Sequence, residues 1–184
     1  LKYYRIANPV YWPRGVETHI FTPFSNRKHN KEPIYLYVGR IAVEKNIEAF
    51  LSIKLAGRKI VVGAGPLLSK LKMAYPDVIF PGEKSKNELP EIYNQADVFV
   101  FPSRTDTFGL VLLEAMACGV PVAAFPAAAP IDVIGNSKAG VLSENLAHAV
   151  QEALKIPRKV ARAHAESYSW EEATRMFLKH QAEI

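Results

Sequence analysis

The sequence predicts an α/β fold, a doubly wound parallel sheet of about six strands with helices on both faces, and two observations support this. First, short runs rich in β-branched and aromatic residues recur along the chain. Second, the segments between these runs carry apolar residues at helical spacing. Strands and helices that alternate in this way are typical of a parallel sheet, because each right-handed crossover places a helix over the sheet.

The predicted elements follow one another in a regular order. The strands are the apolar runs at 34–39, 59–65, 78–82, 97–103, 120–126 and 139–143. The helices lie at 47–56, 67–74, 88–95, 110–117 and 145–154, with a largely helical tail from Arg158. We interpret residues 1–33, which are rich in proline, as an interdomain linker and edge segment, residues 34–156 as a Rossmann-like domain and residues 157–184 as C-terminal helices.

The length of 184 residues and the 49% of hydrophobic residues predict one globular domain or slightly more. The single cysteine, Cys118, excludes an intrachain disulfide and is expected to be a small buried hydrophobe. No apolar stretch is long enough to span a bilayer and no signal peptide begins the chain, so a cytoplasmic location is expected. Because the first residue is Leu and not Met, we expect a piece of a longer protein.

The net charge of +5 suggests an anionic partner, although the basic residues are scattered. A solvated surface is one interpretation, and a face for acidic lipid or phosphate, which would place the protein peripherally at the inner face of a membrane, is the other. The five histidines show no metal-ligand spacing, so no metal site is expected. The aromatic residues do not suggest a base-stacking platform, so no nucleic-acid partner is expected either.

The loop after the first strand, "GRIAVEKN", sets Arg40 and Lys45 just before a helix. Two cations at a helix N-terminus oppose the helix dipole unless an anion sits between them, and a diphosphate would satisfy both. The alternative is two solvated charges with Glu44 as a partner. The loop after the second strand, "GAGPLL", is an incomplete dinucleotide-binding pattern, and a plain turn explains it better than NAD does.

The loop after the fourth strand, "SRTDTFGL", offers Asp106 and Thr107 as N-caps of the next helix. The amides of 108–110 would open that helix, and Gly109 would let a ligand approach the backbone closely. If the whole interval from Asp106 to Glu114 were helical, the two carboxylates would lie roughly 12 Å apart. That spacing suits the two ends of an extended ligand with a diphosphate between them, such as a nucleotide sugar.

Glu114 is the lone charge in the apolar run "FGLVLLEAMACGVPVAAF". The helix that carries it has no polar face to which a solvated glutamate could belong. An unpaired carboxylate buried in such surroundings would be costly. Glu114 is therefore either buried and paired or directed into a binding site.

Four motifs together resemble the retaining glycosyltransferases of the GT-B fold, family 4, also called glycosyl transferases group 1. They are "YVGRIAVEKN", "GAGP", "ADVFVFPSRTDTFGLVLLEAMACGVPV" and the preceding "RGVETHIFTP". They cover nearly the whole chain in the expected order. The resemblance is to the C-terminal half of such enzymes, which binds the nucleotide-sugar donor, whereas a separate N-terminal domain holds the acceptor.

The resemblance implies roles for single residues. Arg40 and Lys45 would hold the donor diphosphate without a metal, and Glu114 would bind the ribose hydroxyls. The backbone at Phe108, Gly109 and Leu110 would meet the diphosphate and the sugar. Asp106, which stands where the family usually has a glutamate, would contact a sugar hydroxyl and act with Arg40 and Lys45 in catalysis. Glu83 and Lys84 are candidates for contacts to the nucleotide base.

The reaction implied is retaining transfer of a hexose from a UDP- or GDP-linked donor to a glycan or lipid, with no cofactor. The chain alone is expected to bind donor but to transfer little or no sugar, and surface that a missing domain would cover could lead it to self-associate. Two alternatives remain at this point. One is a noncatalytic module that binds a nucleotide or sugar phosphate, and the other is an NAD-dependent enzyme on a similar sheet.

Overall fold

The computed structural model describes residues 12, 14–27 and 30–180. Six strands form one sheet: β1 (Ile34–Val38), β2 (Arg58–Val62), β3 (Ile79–Gly82), β4 (Val98–Phe101), β5 (Val122–Ala124) and β6 (Gly140–Leu142). Eight α-helices accompany them in the described part: α1 (Ile47–Leu51), α2 (Leu68–Ala74), α3 (Leu89–Gln95), α4 (Leu110–Ala117), α5 (Ala128–Ile134), α6 (Leu146–Ala153), α7 (Arg158–Glu166) and α8 (Trp170–Lys179). A short 3₁₀ helix, Val43–Lys45, precedes α1.

All the strand pairs are parallel, in the order β3-β2-β1-β4-β5-β6. The chain therefore moves outward from β1 in one direction and then returns to lay β4 on the other side of β1. The predicted doubly wound α/β fold is confirmed. This order creates a switch point between β1 and β4, where the connecting loops diverge and leave a crevice.

The two faces of the sheet bury separate apolar clusters. On one face, side chains such as Leu36 and Phe99 pack with α3, α4, α5 and α7. On the other face, side chains such as Tyr37 and Val100 pack with α1, α2 and α6. The two central strands β1 and β4 are buried along their whole length, as their uninterrupted apolar sequences predict. Cys118 is buried in the first cluster, as expected.

Two helices differ from the sequence prediction. α5 was not predicted, because Pro130 interrupts its sequence; Pro130 is the third residue of the helix, where its missing N–H has no intrahelical partner to lose. α1 ends at Leu51, five residues earlier than predicted. The Lys59 ammonium donates to the carbonyls of Leu51 and Ile53 just beyond that end, which replaces the hydrogen bonds of a further helical turn.

The segment before β1 is anchored to the domain. Val16 forms a parallel bridge with Ser169, and both Val16 and Phe21 are buried in the first cluster. The domain boundaries given above stay a prediction. None of the helices in the described part of the chain combines the length and the apolar character that crossing a bilayer requires.

Candidate functional site

The loops that follow β1 and β4 meet at the switch point and are joined by three hydrogen bonds. Lys45 Nζ lies 2.5 Å from Asp106 Oδ1. The Asn46 amide donates to the carbonyl of Pro102 over 3.1 Å, and the Thr105 hydroxyl donates to the carbonyl of Glu44, also over 3.1 Å. Asn46 adopts a left-handed conformation (φ 53°, ψ 35°), which places the 3₁₀ helix and α1 at an angle to each other. The two loops thus form one wall of the crevice.

A cavity of about 460 Å³ opens at this wall. The structure brings together there most of the site residues that the sequence predicted, namely Arg40, Lys45, Asp106, Phe108, Gly109 and Leu110. Arg14, an exposed residue of the segment before β1, also lines it, although no role was predicted for Arg14. Arg14 is the first residue of the motif "RGVETHIFTP", and this position in a family motif could have identified it as a site residue. Three cationic side chains therefore surround one cavity.

Asp106 does not cap α4, and the capping interpretation for Asp106 and Thr107 is wrong. The N-cap is Gly109, in the left-handed region (φ 75°, ψ 63°), and no side chain accepts a hydrogen bond from the first turn. The reason is that Phe108 and Gly109 separate Asp106 from the helix, which begins only at Leu110. The first backbone N–H groups of α4 consequently carry their partial positive charge at the cavity without a side-chain acceptor.

Only one of the two carboxylate oxygens of Asp106 has a hydrogen-bond partner. Oδ1 accepts from Lys45, whereas Oδ2 is the single buried side-chain polar atom among residues 12, 14–27 and 30–180 that finds no hydrogen-bond partner. The side chains of Lys45 and Asp106 are only 23% and 20% exposed. A buried acceptor without a donor costs free energy, so a ligand hydroxyl that donated to Oδ2 would recover part of it.

Arg40 and Lys45 differ in their surroundings. Arg40 is 67% exposed and lies 3.6 Å from Glu44, so the solvated interpretation with Glu44 as partner fits Arg40 but not Lys45. The backbone at Arg40 is nevertheless fixed, because the buried Tyr37 hydroxyl donates to its carbonyl over 2.9 Å. Burial and the nearby charges of Asp106 and Glu44 raise the pKa of Tyr37, so the phenol keeps the proton that it donates.

Glu114 lies on α4 beside α3 and does not line the cavity at Lys45. Its Oε2 accepts from the Tyr93 hydroxyl over 2.8 Å. Burial raises the pKa of Glu114, while the Tyr93 hydrogen bond and the charge of Lys86 act in the opposite direction and Glu17 adds to the rise. Because α4 begins at Leu110, the interval between Asp106 and Glu114 is not wholly helical, and the condition behind the 12 Å spacing does not hold.

Glu83 and Lys84 line a second cavity, of about 390 Å³, with Gly63, Ala64 and Leu89. This cavity shares Val38, Gly39 and Arg40 with the first, so the two adjoin along the carboxyl edge of the sheet. Lys84 is paired with Glu88 at 2.9 Å, which draws its ammonium toward the start of α3. The loop that carries Glu83 and Lys84 also carries Lys86, whose positive charge lowers the pKa of Glu114.

The glycines of "GAGP" serve loop packing. A Cβ on Gly63 would lie 2.0 Å from the carbonyl oxygen of Gly39, and one on Gly65 would lie 2.3 Å from that of Ile41. The loops after β1 and β2 therefore touch backbone to backbone, which only glycine permits. A close turn is the role that the structure gives to this motif, in agreement with the sequence interpretation.

The comparisons with known proteins identify the family. The profile of the glycosyl transferases group 1 matches residues 20–170. The chain belongs to the glycosyl transferases group 1. The predicted resemblance is confirmed at this level, while the retaining mechanism stays a prediction.

The relatives of this group 1 chain include the sulfoquinovosyl transferase SQD2 of Arabidopsis thaliana, 32% identical over 92% of this chain. They also include a GDP-mannose-dependent alpha-mannosyltransferase of Mycobacterium tuberculosis, 34% identical over 71% of this chain. The matched parts are 39% and 37% of those proteins, so the chain spans about two fifths of the length of these relatives.

Solved structures agree with the fold of this group 1 chain. Sucrose-phosphate synthase from Thermosynechococcus elongatus superposes with a TM-score of 0.78 at 28% identity, over 92% of this chain and 51% of that one. Anabaena HepE, solved in complex with UDP-glucose, superposes with a TM-score of 0.70 at 18% identity, over 90% of this chain and 55% of that one, and supports the fold alone.

Proposed function

We propose that this group 1 chain is the donor-binding part of a retaining glycosyltransferase, which holds a nucleotide-diphosphate sugar for transfer of its hexose to a glycan or lipid. The observation that carries the proposal is the cavity at the switch point, where Arg40, Lys45 and the uncapped first turn of α4 converge. Cationic side chains and helix N–H groups around one cavity are the groups that bind a diphosphate.

The diphosphate lies between the side chains of Arg40 and Lys45 and the backbone at Phe108, Gly109 and Leu110. As the bond between the sugar and the diphosphate breaks, negative charge accumulates on the leaving oxygens. Fixed cations and helix N–H groups stabilise that charge without reorganising, which lowers the barrier. This arrangement needs no metal ion, because Arg40 and Lys45 supply the positive charge.

The sugar lies against Asp106. Oδ2 of Asp106 is closed to solvent in the free chain, so the side chain turns slightly when the donor binds; Oδ2 then accepts a hydrogen bond from a sugar hydroxyl, while Oδ1 keeps its contact with Lys45. Asp106 is one methylene shorter than the glutamate usual in the family. The Lys45 partner compensates by holding the carboxylate in place at the wall of the cavity.

The base lies in the second cavity, near Glu83 and Lys84. Glu114 lines neither cavity, so the ribose meets its carboxylate beyond the rim of the second one. The shared wall at Arg40 lets the diphosphate join the two cavities. The names of relatives support a sugar donor: a mannosyltransferase 34% identical to this chain is named GDP-mannose-dependent, and SQD2 is named a sulfoquinovosyl transferase. UDP and GDP donors both fit this proposal.

The acceptor is held by an N-terminal domain in the proposed enzyme, and the chain alone binds donor without efficient transfer. The first experiment is calorimetric titration of the chain with UDP, GDP and their hexose conjugates, in magnesium and then in EDTA. We expect one nucleotide to bind in both buffers, and Arg40→Ala and Lys45→Ala each to weaken it roughly tenfold, as loss of a charge-assisted contact does.

Lys70→Ala is the matched control for charge. Lys70 is 64% exposed and pairs with Glu48 at 3.1 Å, away from both cavities. Its removal should leave nucleotide affinity unchanged apart from a small effect that salt abolishes. Equal losses in Lys70→Ala and Lys45→Ala, or binding that requires magnesium, would contradict the proposed site.

A further inference from the structure

The hydroxyl of Tyr93 on α3 and the carboxylate of Glu114 on α4 form a hydrogen bond that joins the two helices. We propose that Tyr93 is a positioning residue: it fixes one oxygen of Glu114 so that the other faces the ribose hydroxyls of the nucleotide. This inference rests on the proposed function, in which Glu114 binds the ribose. Tyr93 touches no ligand itself and acts through Glu114.

The ring of Tyr93 is held immobile. Tyr93 is 0% exposed, and its ring packs against Phe21 at 6.0 Å and against Phe99 at 5.8 Å between ring centroids. Burial and the adjacent Glu114 raise the pKa of Tyr93 well above its usual value, so the phenol stays protonated. The fixed ring holds the hydroxyl oxygen in place, and the hydroxyl donates to Glu114 Oε2 over 2.8 Å.

The second oxygen of Glu114 is left for a ligand. Within the described ranges, Oε1 accepts no hydrogen bond from another side chain. It is also not a buried polar atom without a partner, as Asp106 Oδ2 is, so solvent reaches it. The flexible end of a glutamate would otherwise sample several orientations. With Oε2 fixed by Tyr93, the carboxylate plane is set before the nucleotide arrives, which lowers the entropy lost on binding.

Three groups besides burial influence the pKa of Glu114: Tyr93, which donates from α3, Lys86 in the loop before α3, and Glu17 in the segment before β1. The Cys118 thiol just after α4 is also near, and the charge of Glu114 helps to raise its pKa. Lys86 and Glu17 form an ion pair with each other, so their effects on Glu114 partly cancel. Burial raises the pKa of Glu114, and Tyr93 is the main group that opposes this rise.

The test compares ribose with deoxyribose. The chain and its Tyr93→Phe variant are titrated with UDP, GDP and the 2′-deoxy and 3′-deoxy forms of each. We expect the wild-type chain to prefer the ribose form and Tyr93→Phe to lower that preference roughly three- to tenfold, because a misplaced acceptor loses part of its hydrogen bond. As the pH is lowered, the ribose preference should disappear at a higher pH in Tyr93→Phe than in the wild-type chain. The reason is that the Tyr93 hydrogen bond lowers the pKa of Glu114, so without it the carboxylate is protonated at a higher pH.

Tyr35→Phe is the matched control. Tyr35 is also buried, and its hydroxyl donates over 3.0 Å to the carbonyl of Ala56, away from the site. Both variants should lose similar stability in urea, but only Tyr93→Phe should change the ratio of ribose to deoxyribose affinities. A purely structural tyrosine would lower stability and leave this ratio and its pH dependence untouched.

Glu114→Gln separates this inference from the proposed function. If Glu114→Gln removes the ribose preference and Tyr93→Phe leaves it intact at every pH, the positioning role is overturned and the ribose site stands. If neither substitution changes the preference, the role of Glu114 in the proposed function fails and the inference fails with it.

A second variant keeps the test decisive should Tyr93→Phe not fold. Replacement of Tyr93 by 3-fluorotyrosine keeps the ring and makes the hydroxyl a stronger donor. The ribose preference should then persist to a lower pH than in the wild-type chain. An unchanged pH dependence in this variant would overturn the inference.

Discussion

Lys45 Nζ and Asp106 Oδ1 lie 2.5 Å apart, so the cation proposed to hold the diphosphate is already paired with the acid proposed to hold the sugar. The pair also joins the loops after β1 and β4, which come from opposite sides of the switch point. A diphosphate must share Lys45 with Asp106, and a sugar hydroxyl must find Asp106 Oδ2. The two halves of the donor are therefore coupled through one ion pair.

Asp106→Asn should separate these two effects. Without the carboxylate, Lys45 is free to bind the diphosphate, so affinity for the sugar-free nucleotide should rise about fivefold and depend more steeply on salt. The additional affinity that the attached hexose confers should fall. Calorimetry with UDP, GDP and their hexose conjugates measures both quantities.

Glu44→Gln controls for a general gain of positive charge. Glu44 lies 3.6 Å from Arg40 on an exposed surface, so its neutralisation should change affinity much less. Equal gains in the two variants, or no gain in Asp106→Asn with the fold intact, would show that the pair does not restrain Lys45.

Gly109→Ala should damage both stability and binding. Gly109 has φ +75°, and a Cβ there would lie 3.0 Å from Leu112 Cδ1, so we expect a loss of about 1 to 2 kcal/mol in the free energy of unfolding. Gly119 has the same φ at the other end of α4. Urea unfolding should show a loss in both alanine variants, and titration should show weaker nucleotide binding in Gly109→Ala alone. Intact binding there would mean that the first turn of α4 does not contact the diphosphate.

Gly63→Ala should be far more destabilising than Gly82→Ala. The two glycines are neighbours, since the Gly63 N–H donates to the carbonyl of Gly82. A Cβ on Gly63 would lie 2.0 Å from the Gly39 oxygen, whereas one on Gly82 would meet nothing within 4 Å. We expect losses of about 3 and about 1 kcal/mol respectively, the second from the left-handed backbone alone. Similar urea midpoints for the two variants would refute the close packing of these loops.

Asp97→Asn should lower stability at neutral pH and matter less in acid. Burial disfavours the Asp97 carboxylate, but hydrogen bonds from Asn30, the Ile34 N–H and Arg27 outweigh it and hold its pKa below the usual value. A lowered folded-state pKa contributes stability above the unfolded pKa, and that contribution is lost as pH falls through the folded one. The difference in free energy of unfolding between wild type and variant should therefore shrink below the ordinary aspartate range. A difference that stayed constant well below that range would contradict the assignment.

The parts of the fold that the sequence predicts are those in which local pattern and tertiary environment agree. β1 and β4 are apolar throughout because both faces of the sheet are covered, so their runs identify them directly. α5 was missed because a proline in the first helical turn looks like a loop. The end of α1 was misplaced because Lys59, on the next strand, donates hydrogen bonds to the carbonyls of Leu51 and Ile53.

In the candidate site too, the sequence predicts which residues take part but not all of the contacts between them. The family resemblance placed Arg40, Lys45 and Asp106 at one donor site, and they line one cavity because β1 and β4, whose loops carry them, are neighbours in the sheet. The direct pairing of Lys45 with Asp106, and the contact of Tyr93 with Glu114, depend on how loops and helices from separate parts of the chain approach each other. No local pattern encodes such distances.

Arg158 on α7 has a consequence for the design of smaller fragments. Its guanidinium donates to the carbonyl of Ala96, just after α3, and to that of Cys118, just after α4, each over 2.7 Å. One side chain thus links the C-terminal ends of the two helices that carry Tyr93 and Glu114. A truncation that kept all six strands but stopped at residue 157 would remove this link, and the distance between the two helices would no longer be fixed at that end.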